Sequence, residues 1–144
     1  MAKVSICEQR SIAHICEVNA IDKTMNKITL VLGASENPER YSNKAIKALT
    51  KQGLQVIGIG LKKGKVESTV IITEQQIIEG VDTITIYLNA HNQLVYYDYI
   101  LKLHPRRIIF NPGAENQELE KLAAAEGIIC ENACTLVLLS TNQY

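Results

Sequence analysis

The sequence predicts an α/β fold with a doubly wound, mainly parallel sheet of about five to six strands and helices on both faces. From Lys27 onward, short runs of β-branched apolar residues alternate with amphipathic stretches, which is typical of βαβ units. The runs recur roughly every 20 to 28 residues, the length of a compact βα unit. Because 144 residues match the usual size of one domain, the prediction is a single Rossmann-like domain.

Six strands are predicted from runs of β-branched and other apolar residues. In chain order they cover 28–32, 54–59, 70–72, 83–88, 107–110 and 128–130. Gly33 ends the first strand, and Gly127 directly precedes the last one. The third strand is the shortest and follows a basic loop.

Four helices are predicted between these strands from apolar residues at helical spacing and from residues that start or stop helices. They cover 42–52, a brief stretch between Thr73 and Gly80, 89–103, and a stretch between Gly113 and Gly127. Thr73 and Gln76 form a capping box, Gly53 stops the first helix, and His104-Pro105 terminates the third. The residues predicted to be buried on their inner faces are Ala45, Ala48, Leu49, Leu94, Tyr97, Ile100, Leu101, Leu119, Leu122 and Ala123.

Residues 1–26 are predicted to form an N-terminal extension outside the domain, which covers 27–144. The extension has no sustained hydrophobic period and no glycine or proline. Disorder, an arm, and a product that starts at Met25 all remain open for this segment. We expect deletion of residues 1–25 to leave the domain folded.

The charge balance argues against two classes of partner. Because 15 basic residues offset 15 acidic ones, no net field draws the chain to nucleic acid or to a membrane. No apolar run approaches the roughly 20 residues of a membrane helix, and charged residues interrupt any signal-peptide core in the first 25 residues. We therefore expect a cytoplasmic protein without a nucleic-acid or membrane partner, and a homo-oligomer remains open.

The cysteines, at positions 7, 16, 130 and 134, are expected to be reduced thiols in that compartment. Cys130 is expected to be a small buried hydrophobic residue. Cys7, His14 and Cys16 match no established zinc spacing and lack a fourth ligand, so no metal site is predicted.

The loop after the first strand is the first candidate binding segment, because ligands of doubly wound sheets lie outside the carboxyl ends of the strands. Gly33 permits close approach of the backbone, and Ser35 and Asn37 offer short polar groups. The next helix begins directly after this loop, and its free N–H groups and dipole favour a phosphate. Since two glycines of the dinucleotide fingerprint are missing, an ordinary turn is the alternative.

The loop after the second strand is basic, with Lys62, Lys63 and Lys65 between Gly60 and Val66. NAD-binding proteins usually carry an acidic residue at this place. Positive charge suits a ligand that is phosphorylated on its ribose, such as NADP or coenzyme A. An ordinary solvated loop is the alternative.

Two asparagines, Asn89 and Asn111, follow later strands and either line the ligand or serve only as helix caps. No catalytic set accompanies them in the sequence. His91 is the histidine expected near this edge of the sheet, because His104 belongs at the opposite end. Cys134 follows the last strand but has no base near it in the sequence.

The region from 27 to 139 resembles the CoA-binding domain family, small proteins similar to the N-terminal domain of the succinyl-CoA ligase alpha subunit. The resemblance rests on the opening segment 27–38 with its Gly-Ala-Ser loop, and on 53–57, 81–83 and 125–128. The lysine loop also resembles the Pro-Gly-Lys-Gly segment of that ligase.

The resemblance implies binding of coenzyme A or an acyl-CoA by the loops that follow the strands. The residues implicated by position are Gly33, Ala34, Ser35, Asn37, Arg40, Gly60, Lys62, Lys63, Asn89 and Asn111, with a weaker implication for Cys134. The chain departs from the family where Gly60-Leu61 replaces an Asn-Pro pair and where 109–111 replace a Trp-containing strand. These departures leave the adenine contacts open.

The expected function is therefore non-enzymatic binding of coenzyme A or an acyl-CoA, although the sequence leaves enzymatic activity open. The ligase's second domain, with its phosphorylated histidine, has no counterpart in 144 residues, so ligase activity does not follow from the resemblance. The runner-up is an NADP-binding oxidoreductase or redox sensor. A third alternative is an interaction module that has lost its ligand.

Overall fold

In the computed structural model, which describes residues 27–144, a seven-stranded sheet runs through the centre of the domain. The strands are β1 (Ile28–Leu32), β2 (Gln55–Ile59), β3 (Gly64–Val66), β4 (Thr69–Ile72), β5 (Val81–Ile86), β6 (Arg107–Phe110) and β7 (Ile129–Asn132). The helices are α1 (Tyr41–Lys51), α2 (Ala90–Gln93), α3 (Tyr97–Leu103), α4 (Gln117–Ala125) and α5 (Thr135–Ser140), with a 3₁₀ turn at Leu94–Tyr96. The predicted extension, with Cys7, His14, Cys16 and Met25, lies outside the described residues.

The strand order is β3-β4-β2-β1-β5-β6-β7, which places β1 at the centre of the sheet. All neighbouring strands are parallel except β3 and β4, which pair in antiparallel fashion. The chain passes from β1 to β2 on one side and later to β5 on the other, so a crevice opens beyond the carboxyl ends of β1 and β5. The predicted Rossmann-like fold is confirmed, and β3 is one strand more than expected.

The side chains of β1 alternate between two hydrophobic cores, one on each face of the sheet. Leu30 is fully buried in the core that contains Ile100 of α3. Val31 is fully buried on the other face, together with Ile46 of α1 and Leu139 of α5. Because each such side chain contributes roughly 1.5 to 3 kcal/mol, packing on both faces holds the strand ends in fixed positions.

The prediction of a brief helix between Thr73 and Gly80 is wrong, because no residue of this segment is helical. The side chain of Gln75 donates to the carbonyl oxygen of Val95 at 2.9 Å, and the Tyr99 hydroxyl donates to the carbonyl oxygen of Gln76. An isolated helix of this length is only marginally stable, so these tertiary contacts decide the conformation of the segment.

The long helix predicted over 89–103 is divided into α2, the 3₁₀ turn and α3. Gln93 is fully buried, and its side-chain amide donates to the carbonyl oxygens of Leu88 and Ala114, both at 2.8 Å. A polar residue therefore points inward where the sequence pattern predicted an apolar one. Leu94, predicted to be buried, is 49% exposed.

The last helix, α5, was not predicted from the apolar run that forms it. Its first turn receives a distant cap, because the side-chain oxygen of Asn111 accepts the N–H of Thr135 at 2.8 Å. The preceding helix, α4, lies within its predicted stretch and buries Leu119, but Leu122 is 42% exposed. Tertiary contacts, and not the local pattern, thus decide where this end of the chain is helical.

Two further predictions concern residues away from the crevice. Cys130 is partly buried against the core, and burial raises the pKa of its thiol to about 11, as suits a small hydrophobic residue. His104 ends α3 in a left-handed conformation, at φ 48°, and lies at the opposite edge of the sheet as predicted. Among residues 27–144, no helix is both long and apolar enough to cross a membrane.

Candidate functional site

A cleft of about 480 Å³ opens at the carboxyl ends of the strands, where the winding of the sheet reverses. One wall, from the β1–α1 loop and the start of α1, consists of Gly33, Glu39, Arg40, Tyr41 and Ser42. The other wall, from residues that follow β5, β6 and β7, consists of Tyr87, Asn111, Pro112, Cys134 and Leu136. Four strand ends therefore contribute to a single concave surface of the size that holds part of a nucleotide ligand.

The N-terminus of α1 opens into this cleft. Arg40 occupies the N-cap position without a capping side-chain hydrogen bond, and the first turn carries no acidic residue. Within the described part of the chain, the backbone N–H groups of Tyr41 and Ser42 have no hydrogen-bond acceptor. Free N–H donors, the positive end of the helix dipole and an arginine thus all border the cleft, an arrangement that favours a phosphate.

The β1–α1 loop holds its shape through its own short polar side chains. Ser35 Oγ accepts the N–H of Asn37 at 3.0 Å, and Asn37 Oδ1 accepts the N–H of Glu39 at 2.9 Å. Buried Asn43 donates from Nδ2 to the carbonyl oxygen of Ser35 at 2.9 Å. Ser35 and Asn37 therefore shape the loop, while their hydroxyl and amide hydrogens are left for other acceptors.

Gly33, Ala34 and Gly60 form the crossing of the β1–α1 loop over the end of β2. The N–H groups of Gly33 and Ala34 both donate to the carbonyl oxygen of Ile59 at 2.8 Å. Gly33 has φ 95°, and a side chain at Gly60 would overlap the carbonyl oxygen of Ala34. These residues allow the loops to approach each other, and the N–H groups of Gly33 and Ala34 are not available to a ligand.

The lysine loop, residues 60–65, extends from β2 into β3 and lies outside the cleft wall. Lys62 and Lys63 are exposed, and Lys63 Nζ lies 3.7 Å from Glu74 Oε2 in a solvent-exposed ion pair. Glu36 joins this loop to the β1–α1 loop, because its Oε2 accepts the N–H of Lys65 at 2.8 Å. The fold therefore places the lysines beside the loop that leads into α1.

Asn111 lines the cleft, but all of its hydrogen-bonding groups face protein. Its Nδ2 donates to Thr85 Oγ1 at 2.6 Å and to the carbonyl oxygen of Ile86 at 2.9 Å. Its Oδ1 accepts the N–H of Thr135, and Thr85 Oγ1 in turn lies 2.7 Å from Thr135 Oγ1. Asn111 thus braces β5, β6 and α5 against one another through hydrogen bonds and stabilises this wall of the cleft.

Asn89 is exposed and serves as the N-cap of α2, where its Oδ1 accepts the N–H of Asn92 at 2.9 Å. The cap is the alternative that the sequence left open for this residue. Buried Gln93, which the sequence reasoning missed, connects the loops after β5 and β6, and its Oε1 also accepts from Asn116 at 2.9 Å. A glutamine among helix-forming residues carries no sequence signal for such a role.

Tyr87 is a cleft residue that the sequence reasoning placed inside a strand. Because β5 ends at Ile86, Tyr87 is the first residue after the strand and reaches the cleft. Burial is the main cause that raises the pKa of Tyr87 to about 12, and its buried hydroxyl has no hydrogen-bond partner among residues 27–144. The sequence feature that could have indicated this role is an aromatic residue with a polar hydroxyl close to the end of a strand.

The cleft holds one of the two candidate reactive side chains. Cys134 lies in the wall as a free, partly buried thiol, whereas exposed His91 is not part of the wall. Within residues 27–144, no cluster of three or more His, Cys, Asp or Glu side chains is placed to hold a metal ion. The wall therefore offers a thiol and a carboxylate, from Glu39, without a neighbouring histidine.

A family model described as the CoA binding domain matches residues 27–140. The chain belongs to this family. The match covers the domain from the start of β1 to the end of α5, and it confirms the resemblance carried by the Gly-Ala-Ser loop. A search of curated proteins finds no match to the chain.

Solved structures similar to this CoA-binding domain protein include a crystal structure of an uncharacterised protein with 48% identity and a TM-score of 0.79, covering 82% of this chain and 98% of that one. A hypothetical protein from Pyrococcus horikoshii OT3 has 24% identity and a TM-score of 0.72, covering 93% of this chain and 96% of that one. The cell-free ID.343 protein from Thermus thermophilus has 20% identity and a TM-score of 0.74, with coverage of 90% and 98%. The latter two show the fold alone.

The structure of this CoA-binding domain divides the predicted site residues into groups. Gly33, Arg40 and Asn111 line the cleft, as does Cys134. The residues that lie outside its wall are Ala34, Ser35, Asn37, Gly60, Lys62, Lys63 and Asn89. Of these, all but Asn89 belong to two loops joined through Ile59 and Glu36. The site residues remain predictions, now with a defined arrangement.

Proposed function

We propose that this protein binds coenzyme A or an acyl-CoA at the carboxyl edge of its sheet, without catalysing a reaction. The observation that carries the proposal is the N-terminus of α1, which opens into the cleft with Arg40 at its cap and with the N–H groups of Tyr41 and Ser42 directed to no described acceptor. Such a terminus binds phosphate, and coenzyme A carries a diphosphate between its nucleoside and its pantetheine arm.

The rest of the ligand then has a natural direction in this site. The diphosphate lies at α1, and the ribose phosphate extends toward Lys62 and Lys63, whose loop is joined to the β1–α1 loop by the hydrogen bond from Lys65 N–H to Glu36. The pantetheine arm enters the cleft between Tyr87 and Leu136, where apolar surface and a few polar groups suit an amide-containing chain. The thiol or thioester end approaches the wall that contains Cys134.

A role in binding alone is supported by the composition of the cleft wall. Among the described residues, the wall contains Cys134 and Glu39 but no histidine, and no pair of carboxylates faces it. An activated thiol nucleophile needs a base within hydrogen-bond reach, and no histidine among residues 27–144 lines the wall beside Cys134. The proposed compartment is the cytoplasm, where the free thiols of Cys130 and Cys134 stay reduced.

Calorimetric titration of the purified full chain with CoA, acetyl-CoA and a long-chain acyl-CoA tests the proposal. We expect saturable binding of at least one of them, and competition by NADPH that is at least tenfold weaker. Absence of binding at millimolar concentration would overturn the ligand assignment. Stronger binding of NADPH than of CoA would favour the NADP-dependent alternative.

A variant pair locates the ligand. Arg40→Gln removes the charge at the N-cap of α1 and should weaken CoA binding about tenfold, since a charged hydrogen bond contributes roughly 1.5 to 3 kcal/mol. Lys47→Gln removes the same charge from the exposed face of the same helix and should leave affinity within about twofold. Equal affinities in the two variants would place the ligand elsewhere.

A further inference from the structure

Glu36 brings a negative charge into the basic part of the site. It belongs to the β1–α1 loop, yet its carboxylate lies over the first residues of β3, where Oε2 accepts the N–H of Lys65 at 2.8 Å. This N–H belongs to the same basic segment as Lys62 and Lys63. An acidic side chain therefore holds a backbone donor next to the lysines that are proposed to receive a ribose phosphate.

The lysine loop leaves room for this carboxylate at Gly64. A side chain at Gly64 would overlap the carboxyl group of Glu36, so the glycine leaves the space that the carboxylate occupies. The same two loops also approach each other closely at Gly60, where a side chain would overlap the carbonyl oxygen of Ala34. The space left by Gly64 and the hydrogen bond to Lys65 thus place the carboxylate of Glu36 against the lysine loop.

The charge of Glu36 is not neutralised by a lysine. The ion pairs within 4.0 Å among residues 27–144 join Lys63 to Glu74 and two arginines to other carboxylates, and none involves Glu36. A neutral backbone N–H satisfies the carboxylate oxygen but leaves its negative charge in place. That charge acts on any anion that approaches the lysine loop.

We infer that Glu36 is a specificity-determining residue, which lowers the affinity of the lysine loop for a phosphorylated ribose and so limits the preference of the site for CoA over dephospho-CoA. This inference rests on the proposed function. The two ligands differ only in the ribose 3′-phosphate, so the other contacts cancel when their affinities are compared. A ribose hydroxyl can donate to a carboxylate, whereas a phosphate is repelled by it.

The substitution Glu36→Gln removes the negative charge but keeps the hydrogen bond to Lys65. The glutamine amide keeps an oxygen that can accept the N–H of Lys65, so the two loops stay joined while the negative charge is lost. Unit charges a few ångströms apart in water interact by about 1 kcal/mol, so at low ionic strength the preference for CoA should rise about three- to fivefold. Affinity for dephospho-CoA should change by less than about twofold.

The experiment measures dissociation constants for CoA and dephospho-CoA by calorimetry with the full-length wild type, Glu36→Gln and Glu79→Gln. Glu79 is exposed in the segment that leads into β5, at the opposite edge of the sheet, so its variant makes the same change in net charge away from the site. The expected result is a raised ratio of affinities in Glu36→Gln only, which shrinks toward the wild-type ratio at about 1 M salt. A matching thermal melt verifies that the variant is folded.

Three outcomes would count against the inference. An unchanged ratio in Glu36→Gln overturns it, and so does an equal rise in Glu79→Gln, because that would be an effect of net charge. A fall in the ratio would show that Glu36 supports the phosphate instead of opposing it. Failure of wild type to bind either ligand would overturn the proposed function itself, which distinguishes that failure from one of this inference.

Discussion

The cleft wall and the lysine loop lie at the same edge of the sheet but are built in opposite ways. Asn111 in the wall and Gln93 behind it are almost fully buried, and the side chain of each forms hydrogen bonds with three protein partners. In the loop, Lys62 and Lys63 are exposed, and the side chain of Lys63 forms a surface ion pair with Glu74. The buried amides should therefore govern stability and the shape of the wall, whereas the exposed lysines should contribute to ligand affinity and little to stability.

The largest effect should follow from breaking the wall with Asn111→Ala. The substitution leaves the buried N–H of Thr135 without its acceptor and removes the side-chain donor to Thr85 Oγ1 and to the carbonyl oxygen of Ile86. We expect a loss of about 3 kcal/mol in the free energy of unfolding, measured by urea denaturation. Asn92→Ala removes an exposed amide from α2 and should change stability by less than about 0.5 kcal/mol. Similar losses in both variants would contradict the brace assigned to Asn111.

The loop should respond in the opposite sense to the double substitution Lys62→Glu and Lys63→Glu. CoA affinity should fall about tenfold or more, while stability changes by no more than about 0.5 kcal/mol. Lys102→Glu with Lys121→Glu makes the same charge change on the exposed surfaces of α3 and α4 and serves as the control. Equal CoA affinity in the loop variant and the wild type would show that Lys62 and Lys63 are solvated charges that do not contact the ligand.

Tyr87→Phe sharpens the comparison through its pH dependence. Burial raises the pKa of Tyr87 to about 12, so the native state keeps the phenol neutral at a pH where the unfolded chain ionises it. The stability contributed by the neutral phenol is fully present below pH 10 and is lost as the pH rises toward 12. The loss in the free energy of unfolding amounts to about 1.4 kcal/mol near pH 11. Tyr87→Phe lacks this loss, so its stability relative to wild type should improve between pH 8 and pH 11. A constant difference across that range would contradict the burial of the hydroxyl.

The smallest effect is expected at Asn89, which lies beside the cleft but outside its wall. Asn89→Ala removes the cap of α2 and should cost about 1 kcal/mol, measured by thermal denaturation. Asn89→Ser keeps a capping oxygen and should recover most of that loss. CoA affinity should stay within about twofold of wild type in both variants, and a larger drop would restore the ligand role that the sequence suggested.

Particular elements show which predictions local patterns support. The strand over 28–32 and the stop of α1 near Gly53 agree with the structure, because β-branched runs and a C-terminal glycine act locally. The helix between Thr73 and Gly80 failed, and α5 was missed, because contacts with distant residues decide both. Tyr87 was missed for a related reason, since the predicted strand ran two residues past its actual end.

By itself, the sequence determined the Rossmann-like class and the family, and it pointed to the loops after β1 and β2, because hydrophobic period and glycine placement act over a few residues. Only the tertiary structure decided that Asn111 braces the wall, that Tyr87 enters the cleft and that Glu36 reaches the lysine loop. These contacts join residues on separate strands or loops. Their geometry depends on sheet order and loop crossing, which no local pattern encodes.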